Sequence, residues 1–316
     1  MILSSTLPMH IPDGFLSTLV SLLLWLMSIA VIAYALKRVG ADLGERQVPL
    51  MGVLAAAIFA AQMLNFTVVG GTSGHLMGAA IAVILLGPWA AILVMTCVVS
   101  IQALIFQDGG LLVLGANIFN MGVVGVCVSY FTYQTVKRLL RGKTWGIFAG
   151  GFTAAWLSIV VAALATALEL TFSNTSPANI AIPAMAGIHA LIGIGEGLIT
   201  VGALAFVNAT RPDLLNTESK TPAGGKAVWV GGLLFAFVLA IASPLASSFP
   251  DGLEWVAEQH GFLETARDPL YKLIPDYLIP GISNTALATI LAGILGTLIV
   301  FFVALAVAYT RRKRSV

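Results

Sequence analysis

HLMGAAIAVILLGPWAAILVMTCVVSIQALIF, residues 75–106, is the stretch that decides how the chain crosses a membrane. A helix needs about 20 apolar residues to span the hydrocarbon core of a bilayer, so this uncharged stretch is too long for one ordinary span. Gly87 and Pro88 interrupt it, and proline breaks a helix because it lacks an N–H and clashes with the preceding turn. The stretch therefore predicts a short helix, a turn near Gly87, and a second helix that runs back.

Apolar segments recur on both sides of this stretch. The chain has 316 residues, of which 59% are hydrophobic and 9% charged, and its mean hydropathy is +0.97. A water-soluble domain with these values would expose large apolar patches, so they predict an all-α integral membrane protein. The nine apolar runs are approximately 15–36, 48–69, 75–86, 89–106, 112–136, 145–170, 180–207, 228–246 and 285–309.

Basic residues in the loops predict the orientation, because Lys and Arg concentrate on the cytoplasmic side of a membrane. If the N-terminus is outside, fourteen of the sixteen Lys and Arg residues face the cytoplasm, and only Arg267 and Lys272 lie outside. One long helix over residues 75–106 would turn most of the later basic residues outward. The charges therefore favour a turn at Gly87 and a cytoplasmic C-terminus.

The apolar runs form two units. Residues 1–8 are interpreted as an extension, and residues 9–210 contain the seven runs of the first unit. Residues 211–227, with glycine, proline and basic side chains, are predicted to be a cytoplasmic linker. Residues 228–316 then hold two spans and an outer loop, 247–284, which has six acidic and two basic side chains. This loop either gathers cations by its charge or is simply solvated.

Several classes of function are not indicated. The net charge of +2 is small and scattered, without the basic stripe of a nucleic-acid-binding surface. Cys97 and Cys127 lie in apolar runs and lack the spacing of a disulfide framework or a thiolate zinc site. The sequence contains no P-loop, HExxH or recognisable nucleophile motif, so we expect neither ATP binding by a P-loop nor an enzyme.

Polar side chains inside the apolar runs are candidates for function, because ionisable groups are costly at membrane depth. His189 and Glu196 are seven residues apart and share a helix face, either as a cation or proton path or as interhelical hydrogen-bonding groups. A remote alternative is an intramembrane enzyme that uses these two residues as acid and base. Asn117 and Asn120 also share a face, where we expect them to join helices.

Two histidines form a stronger candidate site. His10 lies in MHIPDGFL before the first run, and His75 follows the glycine turn of GGTSGH. The predicted topology puts both on the outer side of the membrane, although 64 residues separate them. Imidazole is the commonest metal ligand in proteins and suits nickel, copper and zinc. The pair therefore predicts a transition-metal site.

These segments resemble the substrate-binding S components of nickel and cobalt energy-coupling factor transporters. PDGLEWVAE, residues 250–258, also looks like the PDGLE-type small subunit that accompanies them. The resemblance implies a seven-helix S-component bundle with a two-helix C-terminal unit, in the cell membrane of a bacterium or archaeon. The stretches that match the S components are MHIPDGFL from Met9, NFTVVGGTSGHLMGA from Asn65, LGPWAA from Leu86, LGANIFNMG from Leu114 and HALIGIGEGLIT from His189.

The resemblance also implies the metal ligands. They are the amine of an initial methionine, the backbone nitrogen and ring of the next histidine, and the histidine of the GTSGH loop, here Met9, His10 and His75. Planar nitrogen ligation leans towards Ni²⁺, and the implied substrate is Ni²⁺ or Co²⁺, without a resident cofactor. Residues expected to support the ligands or line a path are Asn65, Thr72, Ser73, His189 and Glu196.

This chain departs from the family at its start. The family's methionine is the first residue, whereas residues 1–8 precede Met9 here. Either the start is placed eight residues too early, or the extension is removed, or the site is built differently. We favour the first, because Met9 is itself compatible with a start.

The implied partners are a membrane coupling subunit and cytoplasmic ATPase subunits. Close docking of a coupling helix needs small residues four positions apart in the sequence, and the apolar run 48–69 contains two such pairs. Packing within the chain is the alternative use of these residues. An independent ion channel or secondary metal carrier is the alternative function. The two pairs are Ala56 with Ala60 and Ala57 with Ala61.

Overall fold

The computed structural model describes residues 9–42, 47–141, 143–215 and 226–311, so residues 1–8 and most of the predicted linker lie outside the description. The chain is predominantly helical, as predicted. Its helices are α1 (Thr18–Asp42), α2 (Gln47–Gln62), α3 (Ala79–Leu86), α4 (Pro88–Ile101), α5 (Leu114–Asn117), α6 (Gly125–Leu139), α7 (Thr144–Phe172), α8 (Ala178–Thr210), α9 (Lys226–Ala242), α10 (Gly252–His260) and α11 (Thr285–Arg311).

Six helical segments in the described residues are long and apolar enough to cross a membrane. The remaining predicted runs correspond to α3, which has eight residues, and to two shorter apolar helices. These are α2 (Gln47–Gln62) and Trp229–Leu245, which comprises most of α9 and the 3₁₀ turn that follows it. The multi-spanning fold is therefore confirmed. The six long segments are Thr18–Val39, Pro88–Phe106, Leu114–Leu139, Thr144–Phe172, Ala178–Thr210 and Thr285–Arg311.

The turn predicted near Gly87 is present. Helix α3 ends at Leu86 and α4 starts at Pro88, where the missing N–H costs no helical hydrogen bond. Gly87 has φ 78°, a conformation that only glycine adopts without strain, and its N–H donates to the Val83 carbonyl. The chain reverses within one residue, which gives the short helix and full span expected from the sequence.

A small β-hairpin follows α2, and here the sequence prediction is wrong in detail. The predicted run 48–69 was expected to be one helix, but α2 ends at Gln62. Strands β1 (Phe66–Val68) and β2 (Thr72–Gly74) then pair antiparallel. Gly70 and Gly71 form the turn with φ 100° and 78°. The hairpin ends directly before His75 and so fixes the position of the His75 backbone.

Two helices also contain π-helical turns, which the sequence did not predict. One, Gln102–Phe106, ends the α4 span, and the other, Ile118–Val124, joins α5 to α6. A π-turn adds a residue to the helical ladder and is frequent at functional sites. Asn120 lies within the second turn and is buried. The first turn ends directly before the loop 107–113, which takes part in the candidate site described below, and α5 separates this loop from the second turn.

The C-terminal unit packs on α2. Ala56 and Ala60 are fully buried in a cluster that contains Ala236 and Ala240 of α9 and Phe301 of α11. Small side chains let these helices approach closely. Packing within the chain therefore accounts for Ala56 and Ala60, and this face is not open to a coupling helix in the arrangement observed.

The second predicted docking pair is less deeply buried. Ala57 is partly buried and packs against the same cluster, while Ala61 is partly buried against the main core. Intramolecular contacts thus reach all four alanines. The coupling-helix surface expected on α2 is largely occupied by α9 and α11.

We expect Gly232→Ala to weaken the docking of α9 on α2. A Cβ at Gly232 would collide with Val53, whose branched side chain has little rotational freedom, and such overpacking costs about 1 to 3 kcal/mol. Gly231→Ala is the matched control, because a Cβ there meets nothing within 4 Å. The thermal unfolding midpoint in detergent should fall only for Gly232→Ala; equal midpoints would contradict this packing.

Candidate metal site

The loop that carries His10 is held by two buried side chains. Asp13 accepts hydrogen bonds from the three backbone N–H groups of residues 111–113, at 2.9 to 3.2 Å. Asn117 accepts from the N–H of Ile11 and donates to its carbonyl, each at 3.1 Å. The segment before α1 is thereby tied to the start of α5. The side-chain hydrogen bonds of Asn117 position this loop and do not join two helices, contrary to the expectation.

The loop that carries His75 is held by Glu196. The fully buried carboxylate accepts from the N–H of Met77 at 2.7 Å and of Gly78 at 3.1 Å. Gly78 has φ 83° and gives the chain its bend into α3. Glu196 therefore anchors the link between the hairpin and α3, a structural role that the sequence did not reveal.

The acid–base pair considered for His189 and Glu196 is not formed. Nδ1 of His189 lies 2.8 Å from the Met185 carbonyl one turn away, and both oxygens of Glu196 accept backbone hydrogen bonds instead. An intramembrane enzyme built on these two residues is therefore not supported. His189 lines the cavity described below, together with His10 and His75.

His10 and His75 meet as predicted from the topology. Their ring centroids are 5.6 Å apart and their planes are inclined by 76°. An ion about 2 Å from one nitrogen of each ring would lie about 3 Å from each ring centre. Rings at the observed separation can therefore share one ion. The closeness of these two rings, which 64 residues separate in the sequence, is the central geometric feature of the site.

The two rings line a cavity of about 90 Å³. Each enclosed water needs about 10 to 15 Å³ of such a volume, so the cavity has room for an ion with several waters. Its wall combines imidazole, amide, hydroxyl, carboxyl and thioether groups with aliphatic side chains. The lining residues that carry these polar or sulfur atoms are Met9, His10, His75, Met77, Asn117, Asn120, Met121, Thr166, Met185, His189 and Asp251.

Asp108 determines how His10 is oriented. Nδ1 of His10 lies 3.1 Å from Asp108 Oδ1 and 3.3 Å from the Asp108 carbonyl oxygen. Nε2 of His10 is buried and has no hydrogen-bond partner within the described part of the chain. A buried polar atom without a partner costs about 1 to 3 kcal/mol, so Nε2 is an atom that a ligand would satisfy.

The electrostatic environments of the two histidines differ. Burial lowers the pKa of His75 from 6.5 to about 4, with a further contribution from His10, so its ring is neutral at pH 7. Burial also opposes charge on His10, but Asp108 outweighs it and raises the pKa of His10 above 6.5. Burial raises the pKa of Asp251 to about 8, which keeps this carboxyl largely neutral. Neutral imidazole is the form that binds a metal.

Asp108 and Tyr277 are residues that the sequence analysis missed. The Tyr277 hydroxyl donates to Asp108 Oδ2 at 2.6 Å, on the opposite side of the carboxylate from His10. Asp108 lies two residues after the end of the apolar run 89–106, and an acid so close to the end of a span was an available signal. Tyr277 lies 169 residues away in the outer loop of the C-terminal unit, and no sequence pattern linked it to the site.

The PDGLE stretch covers the hairpin beside His75. Ser73 donates through its N–H to the Pro250 carbonyl and through its hydroxyl to the Phe249 carbonyl, both at 2.8 Å. The Thr72 hydroxyl donates to the Pro250 carbonyl at 3.0 Å. Thr72 and Ser73 therefore hold the outer loop in place. Asn65 does so as well, because its carbonyl accepts from the N–H of Ser247.

Met9 lines the cavity beside His10. The orientation of the His10 ring, however, differs from the one that the expected ligand set needs. A chelate ring that joins the His10 backbone nitrogen to its own imidazole needs Nδ1, which lies nearest the backbone. In the structure Nδ1 faces Asp108. Among residues 9–42, 47–141, 143–215 and 226–311, no group of three or more His, Cys, Asp or Glu side chains is arranged to hold a metal.

The chain is similar to known metal-transport proteins. The family described as cobalt uptake substrate-specific transmembrane region, CbiM, matches residues 10–214, and the PDGLE domain matches residues 226–313. A putative fused nickel transport protein, NikMN, of Archaeoglobus fulgidus is 40% identical over 97% of this chain and 100% of its own length. A putative metal transport protein of Haloquadratum walsbyi is 44% identical over 66% of this chain and 94% of its own.

A solved structure is similar as well. The crystal structure of a truncated transition metal transporter has 36% sequence identity to this chain and a TM-score of 0.56, over 63% of this chain and 98% of that one. The relatives are transport proteins, and the chain is accordingly a multi-pass membrane transport component and not an enzyme. It belongs to the CbiM family of cobalt uptake substrate-specific transmembrane regions, and carries a PDGLE domain on the same polypeptide.

Proposed function

We propose that this chain captures Ni²⁺ or Co²⁺ on the outer face of the membrane, as the substrate-specific component of an ATP-driven energy-coupling factor transporter. One observation carries the proposal: His10 and His75, from separate loops, bring their ring centroids to 5.6 Å at a cavity with room for an ion. Two imidazoles at such a distance favour a borderline transition metal over Mg²⁺ or Ca²⁺, which prefer oxygen ligands.

Nickel is the first candidate for the substrate. The fused relative that covers nearly the whole chain is named for nickel, whereas the family description names cobalt. Ligation by nitrogen suits both ions and leans towards nickel where the ligands are planar. Substrate choice thus depends on how the remaining donors are arranged around the two imidazoles.

Met9 is the proposed third contributor. It lines the cavity next to His10, and its nitrogen would be a free amine only in a chain that begins at Met9. Residues 1–8 lie outside the described part of the chain. A free amine is a better metal donor than a peptide nitrogen, which must first lose its proton.

Transport by this chain requires a source of energy in a partner. The sequence has no P-loop, so the proposed partners are a membrane coupling subunit and cytoplasmic ATPase subunits. The proposed orientation has the N-terminus and the histidine cavity outside and the C-terminus in the cytoplasm, because fourteen of sixteen basic residues then face inward. The metal is released inside once the partners drive the component to reorient.

The histidines provide the direct test of metal binding. His10→Ala and His75→Ala should each reduce bound Ni²⁺ in the purified protein from about one ion per chain to near zero, since each removes one imidazole ligand. His260→Ala, at an exposed position at the end of α10, is the matched control and should retain the metal. Metal analysis after dialysis measures this; full retention of nickel by both cavity variants would refute the site.

The mature N-terminus tests the role of Met9. Mass spectrometry of active protein should find a chain that begins at Met9, because only that form supplies an amine next to His10. An intact Met1 in a protein that still binds nickel stoichiometrically would eliminate the amine ligand, while leaving the two imidazoles in place.

Flux measurements separate an energy-coupled importer from a channel or secondary carrier. In proteoliposomes, the chain alone should bind Ni²⁺ but show no ATP-dependent uptake, and uptake should appear when the coupling and ATPase subunits are added. Sustained Ni²⁺ flux through the chain alone would instead favour the channel or carrier. His10→Ala should abolish uptake in the complete complex without lowering its assembly.

A further inference from the structure

We propose that Asn120 forms a staging subsite in the cavity, where its amide oxygen holds the hydrated ion through a water molecule on the way to and from the histidines. The proposal rests on the proposed function, because the staged ion is the same cation in the same cavity. Asn120 contacts the waters of the ion, and Thr166 and Glu169 position Asn120.

The amide oxygen of Asn120 is a buried acceptor without a donor. Asn120 is 3% exposed, and its Oδ1 has no hydrogen-bond partner in the described residues. Among the residues that line the cavity, His10 and Asn120 are the two that carry such a side-chain atom in the described part of the chain. A buried acceptor left unsatisfied destabilises the protein, so this oxygen is where a donor inside the cavity would bind.

The hydrogen bonds of Asn120 identify which of its two amide atoms is the oxygen. The other amide atom lies 3.1 Å from Thr166 Oγ1 and 2.8 Å from Glu169 Oε2. The Thr166 hydroxyl donates its own proton to the Ala162 carbonyl at 3.2 Å, so it accepts from Asn120. Two acceptors match the two hydrogens of an NH₂ group. The nitrogen is therefore saturated, and Oδ1 is the atom left for the cavity.

The two asparagines of this segment have different roles. Asn117 uses both its oxygen and its nitrogen to bind the backbone of Ile11. Asn120 lies in the π-helical turn Ile118–Val124, and π-turns are frequent at functional sites. Asn117 therefore holds a loop, whereas Asn120 keeps one acceptor for an occupant of the cavity.

Glu169 acts through Asn120 and not on the ion directly. Thr166 and Glu169 are three residues apart on α7, so they share a face of this helix. Asn120 and Thr166 line the cavity, but Glu169 does not, although it is buried and lies 2.8 Å from Asn120. An ionisable side chain at membrane depth is costly and is a functional candidate for that reason. Here it serves as the acceptor that fixes the asparagine.

A hydrated divalent cation is the occupant that fits a single amide oxygen. The cation draws electron density from its water ligands, which makes them strong hydrogen-bond donors. Metal–oxygen bonds of about 2.1 Å and hydrogen bonds of about 2.8 Å let an acceptor about 5 Å from the ion hold one of its waters. A cavity of about 90 Å³ admits an ion with several waters, so these waters reach the wall that carries Asn120.

The staging subsite has a kinetic consequence. An ion that moves from water to the imidazoles exchanges its water ligands for nitrogen, and a hydrogen bond to a remaining water stabilises the intermediate. A contact made only during this exchange lowers the barrier for binding and for release alike. Asn120 therefore affects how fast the ion is captured and released, and it leaves the affinity of the histidine site unchanged.

The test measures how fast the purified full chain binds and releases Ni²⁺ in detergent, by rapid mixing, quenching with a chelator and metal analysis. Asn120→Leu removes the amide oxygen, so binding and release should both become about 10-fold slower while the equilibrium affinity stays within about twofold of wild type. Ser158→Ala is the matched control. This buried serine of α7 donates to the Ala155 carbonyl and does not line the cavity, so both rates should be unchanged.

Two variants of Glu169 test its positioning role. Glu169→Gln keeps an oxygen that accepts from the Asn120 nitrogen, so both rates should stay close to those of wild type. Glu169→Leu removes this acceptor and lets the amide turn, so both rates should fall as they do for Asn120→Leu. Rescue by glutamine is an effect that a merely structural role of the charge does not produce. Equal slowing by glutamine and leucine would refute the positioning role.

The outcomes separate the staging subsite from the proposed function. If wild type binds Ni²⁺ and Asn120→Leu binds and releases it at wild-type rates, the subsite is refuted and the histidine site stands. A loss of equilibrium affinity in Asn120→Leu also refutes the subsite, because Asn120 would then support the final site or the fold. If wild type fails to bind Ni²⁺, or His10→Ala and His75→Ala bind it equally well, the proposed function itself fails.

Discussion

Buried backbone N–H groups need acceptors within the protein, and that constraint shapes both histidine loops. Asp13 takes the N–H groups of residues 111–113, and Glu196 takes those of Met77 and Gly78. Each carboxylate fastens one loop to helices distant in the chain. Because both loops are fixed to the same bundle, His10 and His75 are brought together before any ion arrives.

The features that the sequence predicted are those that follow from local chemistry and membrane geometry. The turn at Gly87 follows from the proline after it, and the spans follow from runs of apolar residues. The meeting of His10 and His75 follows from counting crossings, since two segments on one side of a membrane can converge. The sequence did not predict that α2 ends at Gln62, because the short apolar segment after it is compatible with either a helix or a strand.

The contacts between the two units could not be predicted from the sequence. Ala56 and Ala60 had the spacing of a docking surface, but nothing in the pattern showed that α9 and α11 would occupy it. Thr72 and Ser73 stood beside His75 in the sequence, yet their hydroxyls bond the PDGLE stretch. A side chain's partner across more than a hundred residues depends on how whole units dock, which no local periodicity encodes.

In the proposed site, the donors around the cavity favour a transition metal over Mg²⁺ or Ca²⁺. Mg²⁺ and Ca²⁺ need several oxygen ligands to replace their water, whereas His75 is neutral and Asp251 is largely protonated at pH 7. Bonds to nitrogen are therefore the main gain for an ion in the proposed site, which favours nickel and cobalt. Asp108 places negative charge beside His10, close enough to offset part of the charge of the proposed ion.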